Sequence, residues 1–180
     1  MCTRCQGKFE LQDQYEARLL KMVDLLAVSD YEGAFAVTDA TWAEIGHLDI
    51  DNWLHRSLLA DRAMVREKQG QLADALELLN ARLALPFDEP SEQASTFLAG
   101  ALLLHRFDKT VEARVYMSAA IVCLKQSYAR AALPCILRWL DTGDVEIFRG
   151  RHDFVVPRST HTGLSLHWSS QTTPLRFWIG

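Results

Sequence analysis

Two segments of this chain, residues 31–42 and 72–83, share one apolar register. Tyr31, Ala34, Phe35, Thr38 and Trp42 in the first correspond to Leu72, Ala75, Leu76, Leu79 and Leu83 in the second. Both sets fall at i, i+3, i+4, i+7 and i+11, a single stripe of an α-helix. Each stripe follows a turn signal, Ser29-Asp30 or Gln69-Gly70, and a further apolar helical pattern. A duplicated helix–turn–helix unit points to hairpins that bury their stripes against one another.

The periodicity predicts helices over residues 9–28, 32–46, 51–68, 71–85, 91–106, 109–125 and 128–141. Ser29 or Asp30 is expected to cap the second helix and Asp49 or Asp51 the third, and Ser91 with Glu92 to open the fifth after Pro90. Pro134 requires the last helix either to begin near Leu133 or to kink there. With Ala34, Ala75 and Ala113 as anchors, the period is 41 and then 38 residues. The expected fold is therefore all-α: a stack of antiparallel hairpins, about three repeats plus a last helix, over residues 1–144. Arg114 stands where Phe35 and Leu76 sit, so the third hairpin is expected to be degenerate or shifted by one residue.

Residues 145–180 change character. Val155-Val156-Pro157, Gly163 to Trp168 and Leu175 to Ile179 are alternating or β-branched pieces without helical period, which predicts an irregular extension or short strands. Phe177, Trp178 and Ile179 argue for docking against the helices or a partner.

The segment Glu67-Lys68-Gln69-Gly70-Gln71-Leu72-Ala73-Asp74-Ala75-Leu76-Glu77-Leu78-Leu79 resembles the turn and second helix of a tetratricopeptide repeat, and Ser29-Asp30-Tyr31-Glu32-Gly33-Ala34-Phe35 resembles another. Small residues at Ala63, Ala75, Ala101 and Ala113 suit close helix approach within hairpins. Arg62 departs from the pattern at a usual leucine position. The run from Tyr31 to Ala34 through Leu58 to Arg62, Gln69 to Leu76 and Leu85 to Pro90 is similar, more loosely, to the small tetratricopeptide chaperones of type III secretion systems. This resemblance implies a concave groove lined by the first helix of each hairpin. Leu19, Val23, Leu26, Ala60, Met64, Leu98, Leu102 and His105 would border it, and an amphipathic partner helix would lie in it.

Charge and hydropathy narrow the function. The total formal charge is −4; four arginines against Glu146 and Asp153 give residues 145–180 a charge of +2, so residues 1–144 carry −6. An acidic body argues against nucleic acid, which needs a clustered basic surface. No apolar run reaches the roughly 18–20 residues of a membrane span, and Met1 to Gln12 lacks the apolar core of a secretory signal, so a soluble cytoplasmic protein is expected.

Catalytic chemistry finds little support in the residues. There is no phosphate-binding glycine loop, nucleophile elbow, H-E-x-x-H or paired catalytic carboxylate, and neither enzyme activity nor a cofactor is expected. Cys2-Thr3-Arg4-Cys5 supplies only half a zinc site, while Cys123 and Cys135 sit among core residues. His47, Asp49, Asp51 and His55 could ligate a metal in principle, but the aspartates read better as helix caps. His152, His161 and His167 have no partner at ligand spacing. No metal site is expected.

The reading is a non-catalytic adaptor or chaperone that binds a helical protein segment. An immunity-type or inhibitor protein that binds through its acidic surface is the alternative. The first helix and the aromatic tail are equally suited to pack against a second copy as a homodimer.

Overall fold

The structure is a computed structural model that describes residues 3–47, 52–125 and 133–142, with side chains from residue 11 onward except at 12, 52, 133 and 135. Every regular element among the described residues is an α-helix: α1 (Thr3–Ala27), α2 (Tyr31–Ile45), α3 (Asn52–Lys68), α4 (Leu72–Leu83), α5 (Pro90–Arg106), α6 (Thr110–Lys125) and α7 (Leu133–Thr142). The pieces read as strands in residues 145–180, and the boundary placed at 144, lie outside the described residues. The chain divides into two compact units, Met1–Pro86 and Phe87–Gly180. In the first, α1 packs on α2, α2 on α3 and α3 on α4; in the second, α5 packs on α6 and α6 on α7.

Three turns of one design close the hairpins. After α1, Ser29 takes φ 61°; its N–H donates to the Leu26 carbonyl at 3.0 Å, and the Asp30 N–H donates to the Leu25 carbonyl at 2.9 Å. After α3, Gly70 takes φ 77°, and Gly70 and Gln71 donate to Glu67 and Arg66 at 2.9 and 2.8 Å. After α5, Asp108 takes φ 59°, and Asp108 and Lys109 donate to His105 and Leu104, both at 3.0 Å. This paired pattern around a left-handed residue is the Schellman ending of a helix, and it satisfies carbonyls that the last turn would otherwise leave open. The residue after each left-handed position accepts the first bond of the next helix, from Ala34, Ala75 or Ala113. All three alanines are fully buried.

The left-handed residues are spaced by 41 and 38, as the alanines are. The third hairpin is therefore not shifted by a residue; its turn keeps register and only its side chains diverge. On α2 and α4 burial matches position by position. Ala34, Thr38 and Thr41 correspond to Ala75, Leu79 and Arg82 as buried residues, with Tyr31, Phe35 and Trp42 and their counterparts Leu72, Leu76 and Leu83 half-buried beside them. On α6 the buried line persists as Ala113, Met117, Ala120 and Leu124, whereas Arg114 is exposed.

Several local expectations are corrected. α1 begins at Thr3 and not at residue 9, so Cys5 lies within it. α5 begins at Pro90, one residue before the expected start, with Glu89 as its cap residue; Ser91 and Glu92 lie in its first turn, and Ser91 is buried. Proline suits that first turn because its missing N–H has no partner to lose there. Pro134 likewise sits at the second residue of α7, which starts at Leu133. Of Ser29 and Asp30, Asp30 caps α2: its carboxylate accepts from the Gly33 N–H at 2.9 Å. Asp49 and Asp51 lie outside the described residues.

The turns generate a paired test. A Cβ on Gly70 would meet nothing within 4 Å, so Gly70→Ala isolates the backbone cost of a positive φ. It should lower stability by about 1 kcal/mol. Ser29→Gly should raise it by a few tenths of a kcal/mol, because a side chain at φ 61° is released from strain. Urea unfolding of the two variants checks both signs.

Candidate functional site

The expected groove residues fall into two sets, one in each unit. In the first unit, Leu19, Val23 and Leu26 lie along α1 and Ala60 along α3; all four are half-buried. Met64, also on α3, is 7% exposed. In the second unit, Leu98 is 5% exposed, while Leu102 and His105 are half-buried on α5. His105 stacks edge-on against Trp139 of α7, ring centroids 5.6 Å apart. Met64 and Leu98 thus fill the interior of their hairpins. The α1 line retains apolar surface that a partner could reach, with Leu20 beside it more than half exposed.

Sequence reasoning missed what holds α1 and α3 together. The Tyr15 hydroxyl donates to the Asp61 carboxylate, and both residues are buried. Tyr15 also meets Trp53 edge-on at 6.3 Å, within a cluster that includes Ile45, Leu54 and Leu58. These partners are 46 residues apart in sequence, so no local spacing advertises them. Beside the pair, the space lined by Arg18, Leu19, Met22, Thr38 and Leu58 amounts to about 10 Å³, the room of a single water. A small-molecule pocket usually needs roughly 300–1,000 Å³. A space of that size is a gap in the packing and not a binding pocket.

A second seam joins α2 to α3 through arginines. Arg62 lies 5.5 Å from the centroid of Phe35 and 5.4 Å from that of Trp42, and its Nη2 donates to Asp39 at 2.9 Å. Arg66 lies 3.5 Å above Phe35 and donates to the Gln69 side-chain oxygen at 3.1 Å. The Gln69 amide in turn donates to Glu32 at 2.9 Å. Arginine can occupy the usual leucine position because its planar head stacks on aromatic faces while its stem packs as hydrocarbon. Burial pulls the Arg62 pKa below its ordinary value; Asp39 opposes that shift and neighbouring Arg66 adds to it. The Arg62 Nε is buried with no hydrogen-bond partner among the described residues.

Two further candidates for chemistry, His55 and Cys123, make contacts within the fold, while Asp49, Asp51, His152, His161 and His167 lie outside the described residues. His55 approaches the Ile45 carbonyl through Nε2 at 3.2 Å and packs on Trp42 at 6.0 Å, so it covers the end of α2. Cys123 donates to Gln93 at 3.5 Å, and burial pushes its thiol pKa up, with a backbone hydrogen bond opposing. Such a thiol is a poor nucleophile at neutral pH. No group of three or more potential metal ligands occurs among the described residues. No described helix is long and apolar enough to cross a membrane.

No protein-family model, no curated protein and no solved structure matches this chain. The functional reading therefore rests on the geometry above.

Two substitutions separate the roles of these seams. Tyr15→Phe removes the donor to a buried carboxylate and should cost about 1–3 kcal/mol. Arg62→Ala should cost about 1–2 kcal/mol by emptying the space between two rings. Arg62→Leu should be neutral or stabilising by up to about 2 kcal/mol, since an apolar residue there leaves no buried polar atom unsatisfied. Asp39 is more than half exposed and adds little to the balance. Thermal and urea unfolding should rank leucine at or above arginine, and arginine above alanine.

Proposed function

We propose that this protein is a non-catalytic binding protein of tetratricopeptide type, an adaptor or chaperone that receives an amphipathic helix of another protein. The observation that carries the reading is the recurrence of one turn, with one hydrogen-bond pattern and one buried alanine, at three successive hairpins. Stacked hairpins of this kind present the first helix of each pair to a partner. In the first unit those helices are α1 and α3, and on α1 Val23 and Leu26 are half-buried at i and i+3.

The resemblance to type III secretion chaperones narrows the partner to an export substrate held before secretion. The −6 charge of residues 1–144 suits a basic helix and supports a second reading, an immunity-type protein that engages its target through an acidic surface. On that reading the exposed Glu32, Asp39 and Glu77 of α2 and α4 would make the contacts.

Affinity capture from the native host, read by mass spectrometry, should recover one dominant protein partner; recovery of none overturns both readings. Val23→Glu with Leu26→Glu should weaken that complex at least tenfold with helical circular dichroism retained. Glu32→Lys with Glu77→Lys should leave it within about twofold. The opposite ranking would replace the groove with the acidic face. Met64→Glu is unsuited to the test, because Met64 is buried and a charge there would unfold the hairpin.

A further inference from the structure

Charge is distributed unevenly around α1. Leu19, Val23 and Leu26 form its half-buried apolar line. Moving around the helix away from that line, Leu20 lies about 60° from Val23, and Asp13 and Asp24 lie about 80° and 100° from it. Leu20 is 55% exposed, and both aspartates are exposed. The half-buried Glu16 falls between Val23 and Leu20. From the core outward, α1 thus presents an apolar line, an exposed leucine and then a row of carboxylates.

The cations of the first unit are turned elsewhere. Between residues 11 and 27 they are Arg18 and Lys21. The Arg18 guanidinium donates to the Glu44 carboxylate of α2, and Lys21 lies beyond the aspartates, about 160° from Val23. On α3, Arg62 and Arg66 lie over Phe35 of α2. The half-buried Trp53, Ser57 and Ala60 of α3 repeat the i, i+4, i+7 spacing of Leu19, Val23 and Leu26 and add no charge. Neither Asp13 nor Asp24 has an ion pair among the described residues.

This distribution selects an occupant. Nucleic acid and anionic lipid are repelled by the carboxylate row, and a second copy that met α1 with its own α1 would bring carboxylates against carboxylates. A helix with an apolar stripe and lysine or arginine beside it matches both features. Its apolar residues cover Leu20, Val23 and Leu26, and its long cationic side chains lie along Leu20 with their charged ends at Asp13 and Asp24.

We propose that the α1 line takes a cationic amphipathic helix, with Asp13 and Asp24 selecting its lysines or arginines. The proposal rests on the groove reading above and adds the charge of the occupant. From Asp13 to Ala27 the line runs about 21 Å at helical rise, so four turns of partner helix cover it.

Two synthetic peptides of about five helical turns test this on the full chain, read by fluorescence anisotropy. Both carry the same leucine stripe; one has lysine at every other position and the other glutamate. The lysine peptide should bind at least tenfold more tightly, and added salt should weaken it. Asp13→Asn with Asp24→Asn should reduce its affinity at least fivefold with circular dichroism unchanged, whereas Glu32→Gln with Glu77→Gln should leave it within about twofold. Val23→Ser with Leu26→Ser should weaken either peptide. Equal binding of the two peptides, both lost in that serine variant, would overturn the charge selection and leave the groove standing. Binding of neither would overturn the groove with it. Equal losses from the two carboxylate pairs would reduce the effect to the general acidity of the unit and overturn the role of Asp13 and Asp24. A dimer of the peptide-free chain that Leu20→Ser dissociates would assign the face to a second copy and overturn the proposal.

Discussion

A left-handed residue at the end of a helix is the constraint on which each hairpin depends. At Ser29, Gly70 and Asp108 the chain reverses within one residue, and the two backbone bonds across it satisfy the final carbonyls of the helix before. The same reversal fixes where the next helix starts and therefore which of its residues face inward. Ala34, Ala75 and Ala113 are fully buried because each stands four residues after its cap, at the point where two helices converge. Only a short side chain fits such an approach. That two of the three turns place a side chain in the left-handed region shows that geometry there outweighs the local conformational cost.

Around this backbone frame the two described units solve their packing with different chemistry. The first uses polar and aromatic seams: Tyr15 with Asp61 between α1 and α3, and Arg62 and Arg66 over Phe35 and Trp42 between α2 and α3. Buried charge is costly when unpaired, so these seams tie helix register to specific partners more strictly than an apolar contact does. The second unit relies on alanine, leucine and methionine along α5 and α6, with edge-on ring pairs at Phe97–Tyr116 and His105–Trp139. An apolar interface tolerates sliding more readily than a hydrogen-bonded one.

Helix content and turn positions were legible because they depend on neighbours three or four residues away. The stripe of residues 31–42 and 72–83 follows from local spacing, which also narrowed the cap of α2 to Ser29 or Asp30 and the last helix to a start near Leu133 or a kink there. Residue-level site placement was less legible. Met64 and Leu98 occupy positions that a hairpin stack offers to a partner, yet they are buried, because burial depends on the neighbouring helices and not on register alone. Arg62 looked like a departure from an apolar pattern; it is a packed cation whose partners Phe35, Trp42 and Asp39 lie on another helix. Nor could the sequence choose between a degenerate and a shifted third hairpin, since Arg114 is consistent with both. The hydrogen bonds at Asp108 and Lys109 decide it.

By itself the sequence determined the helical character of the chain, the first two reversals and the small residues at each close approach, since these are set by propensity and spacing within one or two helical turns. Tertiary structure alone decided which polar groups are paired across helices and which candidate groove residues keep surface. Those outcomes rest on contacts between residues tens of positions apart, and such contacts leave no periodic trace along the chain.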